Sequence, residues 1–210
     1  MTAAAAPDPA PSGRGPGRPR NDDIDGQILA ATLALVDENE TPTVARIVER
    51  SGVSRAALYR RWPSITTLVA TAVDRGREQP GPMPTDGDLR ETLFDAFLGS
   101  ADGRTDYPDE RFRRRIAMAM EDRELQRAYW DSHVSRRRVP VEDFLRAGME
   151  RGVLRADLDV VACFDLLAGV FYYQLVVRGV PFDERGAQER CREALEVAWR
   201  GMLADPAGGR

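Results

Sequence analysis

Apolar residues recur at helical spacing through nearly the whole chain after residue 20. Thr43 and Ser54 are typical N-cap residues, and each precedes a short helical pattern on one side of a turn at Gly52. A fourth helix is predicted from Ser64 to about Arg77. The first helix, beginning near Asp22, is indicated by positions three and four residues apart, namely Ile24, Ile28, Leu29, Ala31, Leu35 and Val36.

A run of prolines and glycine between Gln79 and Thr85 interrupts the helical pattern and predicts a domain boundary. Beyond it, helices are predicted over about 87–101, 108–121, 123–151, 159–178 and 184–203. Pro140 should kink or split the third of these. No strand-like alternation bounded by hairpin turns occurs, so the sequence predicts an all-α fold of about nine helices.

Composition narrows the class of protein. The chain has 210 residues, of which 42% are hydrophobic and 30% charged, which is typical of a soluble globular protein. These values exclude a collagen, a disulfide scaffold and a wholly disordered chain. Cys163 and Cys191 are expected to be small buried hydrophobic residues. No secretory segment is visible, so a cytoplasmic protein is expected.

The first 20 residues differ from the rest of the chain. Thirteen of them are Ala, Pro or Gly, a composition that cannot bury enough surface to fold. Arg14, Arg18 and Arg20 make the end of this segment positive, and it is expected to be a disordered basic arm. Gly17-Arg18-Pro19-Arg20 resembles the core of an AT-hook, which fits the narrow minor groove of A·T-rich DNA. The alternative is a tail with no role.

The stretch from Thr43 to Leu68 carries the clearest signal for function. Two short helices joined by a turn at Gly52 are the pattern of a helix-turn-helix. Between Thr41 and Ser64, five Arg against Glu49 give a local charge of +4, although the whole chain has a net charge of −4. Such a contrast indicates a phosphate-binding surface. One buried face is expected from Val44, Ile47, Val48, Val53, Leu58 and Trp62.

These residues resemble the TetR/AcrR family of bacterial transcriptional regulators. The segment GVSRAALYRRWPS over 52–64 and the segment ILAA over 28–31 follow the family pattern, as do Thr43, Ile47 and Leu68. Ile65 and Ala57 depart from it, since the family usually has Lys and a Thr or Ser there. The stretch 151–159 and the later Tyr172-Tyr173 resemble the regulatory domain of some members.

The resemblance implies a homodimer that binds double-stranded DNA and is released by a small molecule. It implies a three-helix DNA-binding domain over 21–78 and a larger helical domain for ligand binding and dimerisation over 87–204. Hydroxyl groups are expected to bind phosphates, and arginines to bind phosphates or guanine. The expected DNA contacts are Arg18, Arg20, Thr43, Arg46, Ser54, Arg55, Ala56, Ala57, Tyr59, Arg60, Arg61 and Ser64.

The C-terminal region contains a nearly continuous apolar stretch from Val160 to Val177. It is expected to pack against its own domain on one side and a partner subunit on the other, with the final helix beside it. Asp165 argues against a membrane span. The arginine runs 113–115 and 136–138 are expected to be solvated. The candidate contacts for an apolar or aromatic ligand are Phe97, Met118, Trp130, His133, Phe144 and Tyr172.

Two other classes of protein are weighed against a regulator. A helical-bundle enzyme would need catalytic residues, yet the sequence has no phosphate loop, no HExxH and no CxxC, and contains one histidine. No catalytic residue, metal site or cofactor is therefore predicted. An architectural DNA-binding protein without ligand control would not need a C-terminal domain of this size.

Deleting residues 1–20 is expected to weaken DNA binding and to lower the salt dependence of the binding constant. The reason is that the three arginines of the arm would no longer displace counterions from DNA phosphates. A titration of the full and shortened chains at two salt concentrations measures both effects. Equal affinities of the two chains would contradict a role for the arm.

Overall fold

Helices form the architecture of the chain in the computed structural model, which describes residues 21–75, 80–99 and 108–205. The predicted arm over 1–20 lies outside the described residues. The predicted all-α class is confirmed, since the described residues form ten α-helices and no strand. Four helices lie in the N-terminal part: α1 Asn21–Asp37, α2 Val44–Ser51, α3 Arg55–Arg61 and α4 Ile65–Val73.

The other six α-helices follow the proline-rich boundary. Two short π-helical turns extend the pattern, one at Trp130–Val134 before α8 and one at Tyr173–Val177 after α9. Leu154 and Leu203 form an isolated antiparallel bridge near the end of the domain. The α-helices are α5 Leu89–Leu98, α6 Asp109–Glu121, α7 Arg123–Tyr129, α8 Ser135–Glu150, α9 Val160–Tyr172 and α10 Arg185–Met202.

Local sequence explains where the short N-terminal helices begin and end. The side chains of Thr43, Ser54 and Ser64 each accept a hydrogen bond from a backbone N–H three residues on, which caps α2, α3 and α4. Gly52 ends α2 with φ of 68°, a left-handed conformation that residues with a side chain rarely adopt. Its N–H donates to the Val48 carbonyl at 3.0 Å. The turn between the two helices is therefore specified by one glycine and the Ser54 cap.

Three clusters of buried residues connect these helices. The N-terminal cluster joins α1 to α4 and includes Ile47, Leu58 and Leu68. The largest cluster lies in the C-terminal region and includes Phe144 and Leu167. A third cluster joins the two regions, because α1 and α4 pack there against α7; it consists of Val36, Val69, Ala70, Val73 and Leu125. The helix α4 thus contributes both to the core of the N-terminal part and to the contact between this part and the C-terminal region.

Pro140 was predicted to kink or split the helix over 123–151, and the prediction of a split at this residue is wrong. The predicted helix over 123–151 is interrupted at the π-helical turn Trp130–Val134, and α8 continues through Pro140. Proline removes one backbone hydrogen bond, but burial of the following Val141, Phe144 and Leu145 holds α8 in place. The predicted end of α4 near Arg77 also differs, because α4 ends at Val73.

The prediction that the two arginine runs are solvated holds for the exposed Arg136 but is wrong for Arg115 and Arg138. Arg115 is 2% exposed, and its guanidinium stacks over Phe112 at 4.3 Å and Tyr129 at 4.6 Å. Arg138 is 7% exposed and donates to Glu142 at 2.8 Å and to the Val161 carbonyl at 3.1 Å. A guanidinium stacks on aromatic rings and carries an apolar stem, so charge alone did not reveal this burial.

The apolar stretch Val160–Val177 is long and apolar enough to cross a membrane by length and composition alone. Of this stretch, 22% is buried within the chain. Cys163 and Leu167 point into the core, whereas Leu166 is 56% exposed and Tyr173 is 51% exposed. Cys163 and Cys191 are buried as predicted, and burial raises the pKa of both thiols. The outward side of α9 is an apolar face that the described residues leave uncovered.

Candidate nucleic-acid interface

The helix α3 presents one apolar side to the core and one polar side to solvent. Leu58 is fully buried, and Ala57 packs partly against the same cluster. Tyr59 is 46% exposed, and Arg55, Ala56 and Arg60 are exposed with it. The exposed residues that were predicted to contact DNA therefore lie on the solvent side of α3. Leu58 anchors this helix to the core, and Ala57 is turned toward the core.

Three predicted hydroxyl groups act first as helix caps. Thr43 accepts from the Arg46 N–H at 3.4 Å, and Ser54 accepts from the Ala57 N–H at 3.3 Å. Ser64 accepts from the Thr67 N–H at 3.4 Å. A hydroxyl that accepts in a cap still has its own proton to donate. Each group can therefore cap its helix and bind a phosphate oxygen at the same time.

Three of the five arginines in this region are paired with acidic residues. Arg46 lies 3.5 Å from Glu40, Arg50 donates to Glu38 at 2.6 Å, and Arg61 lies 2.5 Å from Asp25. The hydrogen bond from Arg50 lowers the pKa of the Glu38 carboxyl and raises the pKa of Arg50 itself. These pairs orient α2 and α3 against α1 and the loop that follows it. The local charge of +4 is thus partly neutralised in the folded chain.

Arg55 and Arg60 remain as exposed cations of α3 that have no ion-pair partner in the described part of the chain. They lie on either side of Tyr59 and are five positions apart in sequence. Because unpaired arginines keep their donors for phosphate or guanine, they are the strongest candidates for DNA contact. Arg18 and Arg20, also predicted to contact DNA, lie outside the described residues.

The candidate ligand contacts do not form a single site. Phe97 stacks on Phe171 with ring centres 5.6 Å apart, and Tyr172 lies 5.2 Å from Phe112. Phe182 lies 6.1 Å from Phe171 and 6.2 Å from Phe112, which joins the two pairs. We call these five half-buried rings, Phe97, Phe112, Phe171, Tyr172 and Phe182, the aromatic cluster. Phe97 and Tyr172 were predicted from the sequence to contact a ligand, whereas Phe171 and Phe182 were not.

The other four candidates lie elsewhere. Phe144 is buried in the main C-terminal core, and Met118 packs beside the cluster that joins the two regions. Trp130 is 45% exposed and lies beneath the Arg138 guanidinium. His133 is 1% exposed, contacts Asp74 at the end of α4 and stacks on a tyrosine ring. Its position is that of a link between helices rather than of a residue in the aromatic cluster.

Polar contacts that the sequence analysis missed join the C-terminal region to α1. Arg111 of α6 binds Asp37 through two hydrogen bonds of 2.9 and 2.7 Å, and Arg114 donates to Asn39. Asn39 has φ of 62°, which turns the chain sharply after α1. More than 70 residues separate the partners in each pair, so no local pattern could have revealed them.

An open groove of about 620 Å³ lies where α1 and α4 meet the start of α8, and Leu29, Thr71 and Ser132 help to line it.

In the described residues, no group of three or more His, Cys, Asp or Glu side chains is placed to hold a metal ion.

Two family models match the chain. Residues 28–72 match the model for bacterial regulatory proteins of the tetR family. Residues 83–194, more than half of the chain, match the model described as Tetracyclin repressor-like, C-terminal domain. The two matches lie on either side of the proline-rich boundary.

Known proteins with the same architecture are similar to nearly the whole chain. The uncharacterized HTH-type transcriptional regulator YdeS of Bacillus subtilis (strain 168) is 28% identical over 204 residues, covering 91% of this chain and 96% of its own. The crystal structure of the TetR family transcription regulator SCO0332 is 26% identical, has a TM-score of 0.57 and covers 83% of this chain and 97% of its own. A putative TetR-family regulator from Rhodococcus sp. shares the fold, with a TM-score of 0.63 at 17% identity and coverage of 84% and 99%.

Substituting Tyr59→Phe or Arg60→Ala is expected to weaken DNA binding by about 1.5–3 kcal/mol each, the usual worth of a hydrogen bond to a charged group. Arg60→Ala should also lower the salt slope by about 0.9, because one phosphate contact is lost. The measurement is a fluorescence titration with a duplex selected from a random pool. Arg127→Ala, an exposed arginine on α7, is the matched control. Full affinity in both α3 variants would contradict the proposed face.

Proposed function

This chain belongs to the TetR family of bacterial regulatory proteins, and on that premise we propose that it is a dimeric repressor released from DNA by a small molecule. The family consists of transcriptional regulators, which favours this function over an enzyme. The observation that carries the proposal is the exposed side of α3, where Arg55, Tyr59 and Arg60 stand clear of the core. Such a regulator works in the cytoplasm, where its DNA lies.

The DNA contacts follow from the exposed groups. Arg55 and Arg60 bind phosphate or guanine in the major groove, and Ala56 permits a close approach to the bases. Thr43, Ser54, Ser64 and Tyr59 bind phosphates and fix the register. Two α3 helices in a dimer must lie about 34–36 Å apart to enter successive major grooves. Because the two subunits of such a dimer are related by two-fold symmetry, the operator is palindromic.

We propose that the chain has the two domains 21–78 and 87–204, and two separate buried clusters support this division. Leu58 and Leu68 belong to the N-terminal cluster, and Phe144 and Leu195 belong to the C-terminal cluster. The third cluster and the contacts of Arg111 and Arg114 connect them. Movement in the C-terminal domain can therefore change the position of α1 and α4. These two helices pack with α3, the proposed recognition helix.

Dimerisation is proposed through the outward face of α9, with a contribution from α10. Leu166, Tyr173 and Val177 are exposed by 56%, 51% and 66%, which is unusual for one face of a soluble helix. Val197 of α10 is 73% exposed, while its exposed neighbours are mostly charged. The apolar contribution thus comes mainly from α9, and α10 supplies the polar border.

A partner subunit accounts for this face better than a membrane does. Asp165 lies on the outward side of α9 and is 65% exposed, 3.3 Å from the buried Arg138. Placing this carboxylate and guanidinium in lipid would be costly. A protein interface tolerates such a pair when it lies at the border of an apolar patch.

The effector site is proposed at the aromatic cluster. Its rings are half-buried and in direct contact, with ring centres 5 to 6 Å apart, so a flat apolar or aromatic compound would bind by separating them. Phe112 places the cluster on α6, the helix whose Arg111 and Arg114 bind the end of α1. An effector that separates the rings would move α6 and, through these contacts, α1. An architectural protein without ligand control would not need this connection.

Substituting Leu166→Arg is expected to dissociate the dimer, because it places a charge at the centre of the apolar face of α9. The monomer should lose roughly 100-fold or more in operator affinity, since two half-sites no longer bind together. Sedimentation equilibrium measures the mass, and titration of the selected duplex measures the affinity. Met120→Arg, at a 76% exposed residue of α6, is the control. A dimeric Leu166→Arg variant with full affinity would contradict the proposed interface.

Substituting Arg111→Ala is expected to preserve effector binding while weakening the release of DNA. The variant removes the bidentate contact with Asp37 but leaves the aromatic cluster intact. A panel of small aromatic compounds is screened by thermal shift, and each compound that binds is then tested by calorimetry and by DNA titration. Arg90→Ala is the matched control, because Arg90 makes a comparable contact with Glu196 inside the C-terminal domain. Normal release by the Arg111→Ala variant would contradict the route through α6.

A further inference from the structure

Arg61, a predicted DNA contact, is held against α1 rather than extended into solvent. Its Nε lies 2.5 Å from Asp25 Oδ1, and its Nη1 donates to the Ala57 carbonyl at 3.3 Å. The Arg61 side chain is 12% exposed, compared with 46% for Asp25. The guanidinium therefore connects the last turn of α3 to α1.

The turn of α1 that contains Asp25 is also held by α4. Arg75, which follows α4, donates to the Gly26 carbonyl at 3.0 Å. One turn of α1 therefore receives arginines from the end of α3 and from beyond the end of α4. Because these two helices flank Trp62–Ser64, this turn helps to fix their relative orientation.

Apolar packing specifies the orientation of α3 only in part. The helix has seven residues, all of them described, of which Leu58 is buried, and Ala57 and the C-cap Trp62 pack partly against the same cluster. Such burial is non-directional, so a polar contact adds a separate constraint on rotation of the helix about its axis. The ion pair between Arg61 and Asp25 adds a polar contact between α3 and α1.

We propose that Asp25 is a positioning residue for DNA recognition, because its ion pair with Arg61 sets the rotation of α3 and hence the directions of Arg55, Tyr59 and Arg60. The inference rests on the proposed function. It assigns Arg61 to the support of the recognition helix instead of to a phosphate. It also explains why Asp25, an acidic residue, lies in a domain that is proposed to bind the negatively charged DNA.

The sign of the effect of Asp25→Asn distinguishes positioning from simple electrostatics. Removing a negative charge should strengthen DNA binding if charge alone mattered. Positioning predicts the opposite, a loss of roughly 5- to 100-fold for the selected duplex, comparable to losing one base contact. Binding to non-specific calf-thymus DNA should be equal or tighter, because it depends on charge and the exposed cations remain.

The experiment is a double-mutant cycle in the full chain with Asp25→Asn, Arg61→Gln and their combination. The ligand is the duplex selected from a random pool by the wild-type protein. Positioning predicts that the combined variant loses no more affinity than either single variant, with the salt slope unchanged. Asp25→Glu keeps the carboxylate and should recover most of the affinity. Glu49→Gln, at an exposed acidic residue of α2, is the matched charge control and should not weaken binding.

Two results would overturn the inference. Equal or tighter binding by a folded Asp25→Asn variant would remove the positioning role. A salt slope lowered by about 0.9 in Arg61→Gln would show that Arg61 contacts a phosphate directly. This second measurement also decides the question if Asp25→Asn fails to fold, as judged by thermal unfolding. A wild-type protein that enriches no duplex would overturn the proposed function itself, an outcome visible before any variant is made.

Discussion

Ion pairs with arginines join α1 and the residue that follows it to three of the surrounding helices. Asp25 pairs with Arg61 of α3, Glu38 with Arg50 of α2, and Asp37 with Arg111 of α6. Each pair neutralises the charge of an arginine that would otherwise be available to bind DNA phosphates. The same pairs fix the helices that carry the remaining exposed cations. On the proposed function, the arginines available to DNA are therefore those that the acidic residues of α1 and its following loop leave unpaired.

This arrangement reconciles an acidic chain with a DNA-binding role. The net charge is −4, yet the exposed side of α3 carries Arg55 and Arg60. Acidic residues of α1 that lie behind the recognition helix do not oppose binding if their charge is compensated by a neighbouring arginine. Bulk charge therefore says little about the partner, whereas the local pattern of paired and unpaired cations is informative.

The sequence predicted features that depend on local chemistry. Helix spacing, the caps at Thr43, Ser54 and Ser64, and the glycine turn identified the all-α fold and the motif, because each signal spans a few residues. Long-range pairings escaped prediction, since Arg61 with Asp25 and Arg111 with Asp37 join distant segments. Arg115 escaped for a different reason: its charge suggested solvent, but two aromatic rings bury it.

The helix α9 connects the two activities proposed for the C-terminal domain. Phe171 and Tyr172 belong to the aromatic cluster, while the next residue, Tyr173, is exposed on the outward apolar face and begins a π-helical turn. A compound bound among the rings would therefore touch the helix that we propose to pack against the partner subunit. It also touches Phe112 of α6, which leads to α1 through Arg111. Because both connections act on the spacing of the two α3 helices, a small shift at the rings can move them out of register with DNA.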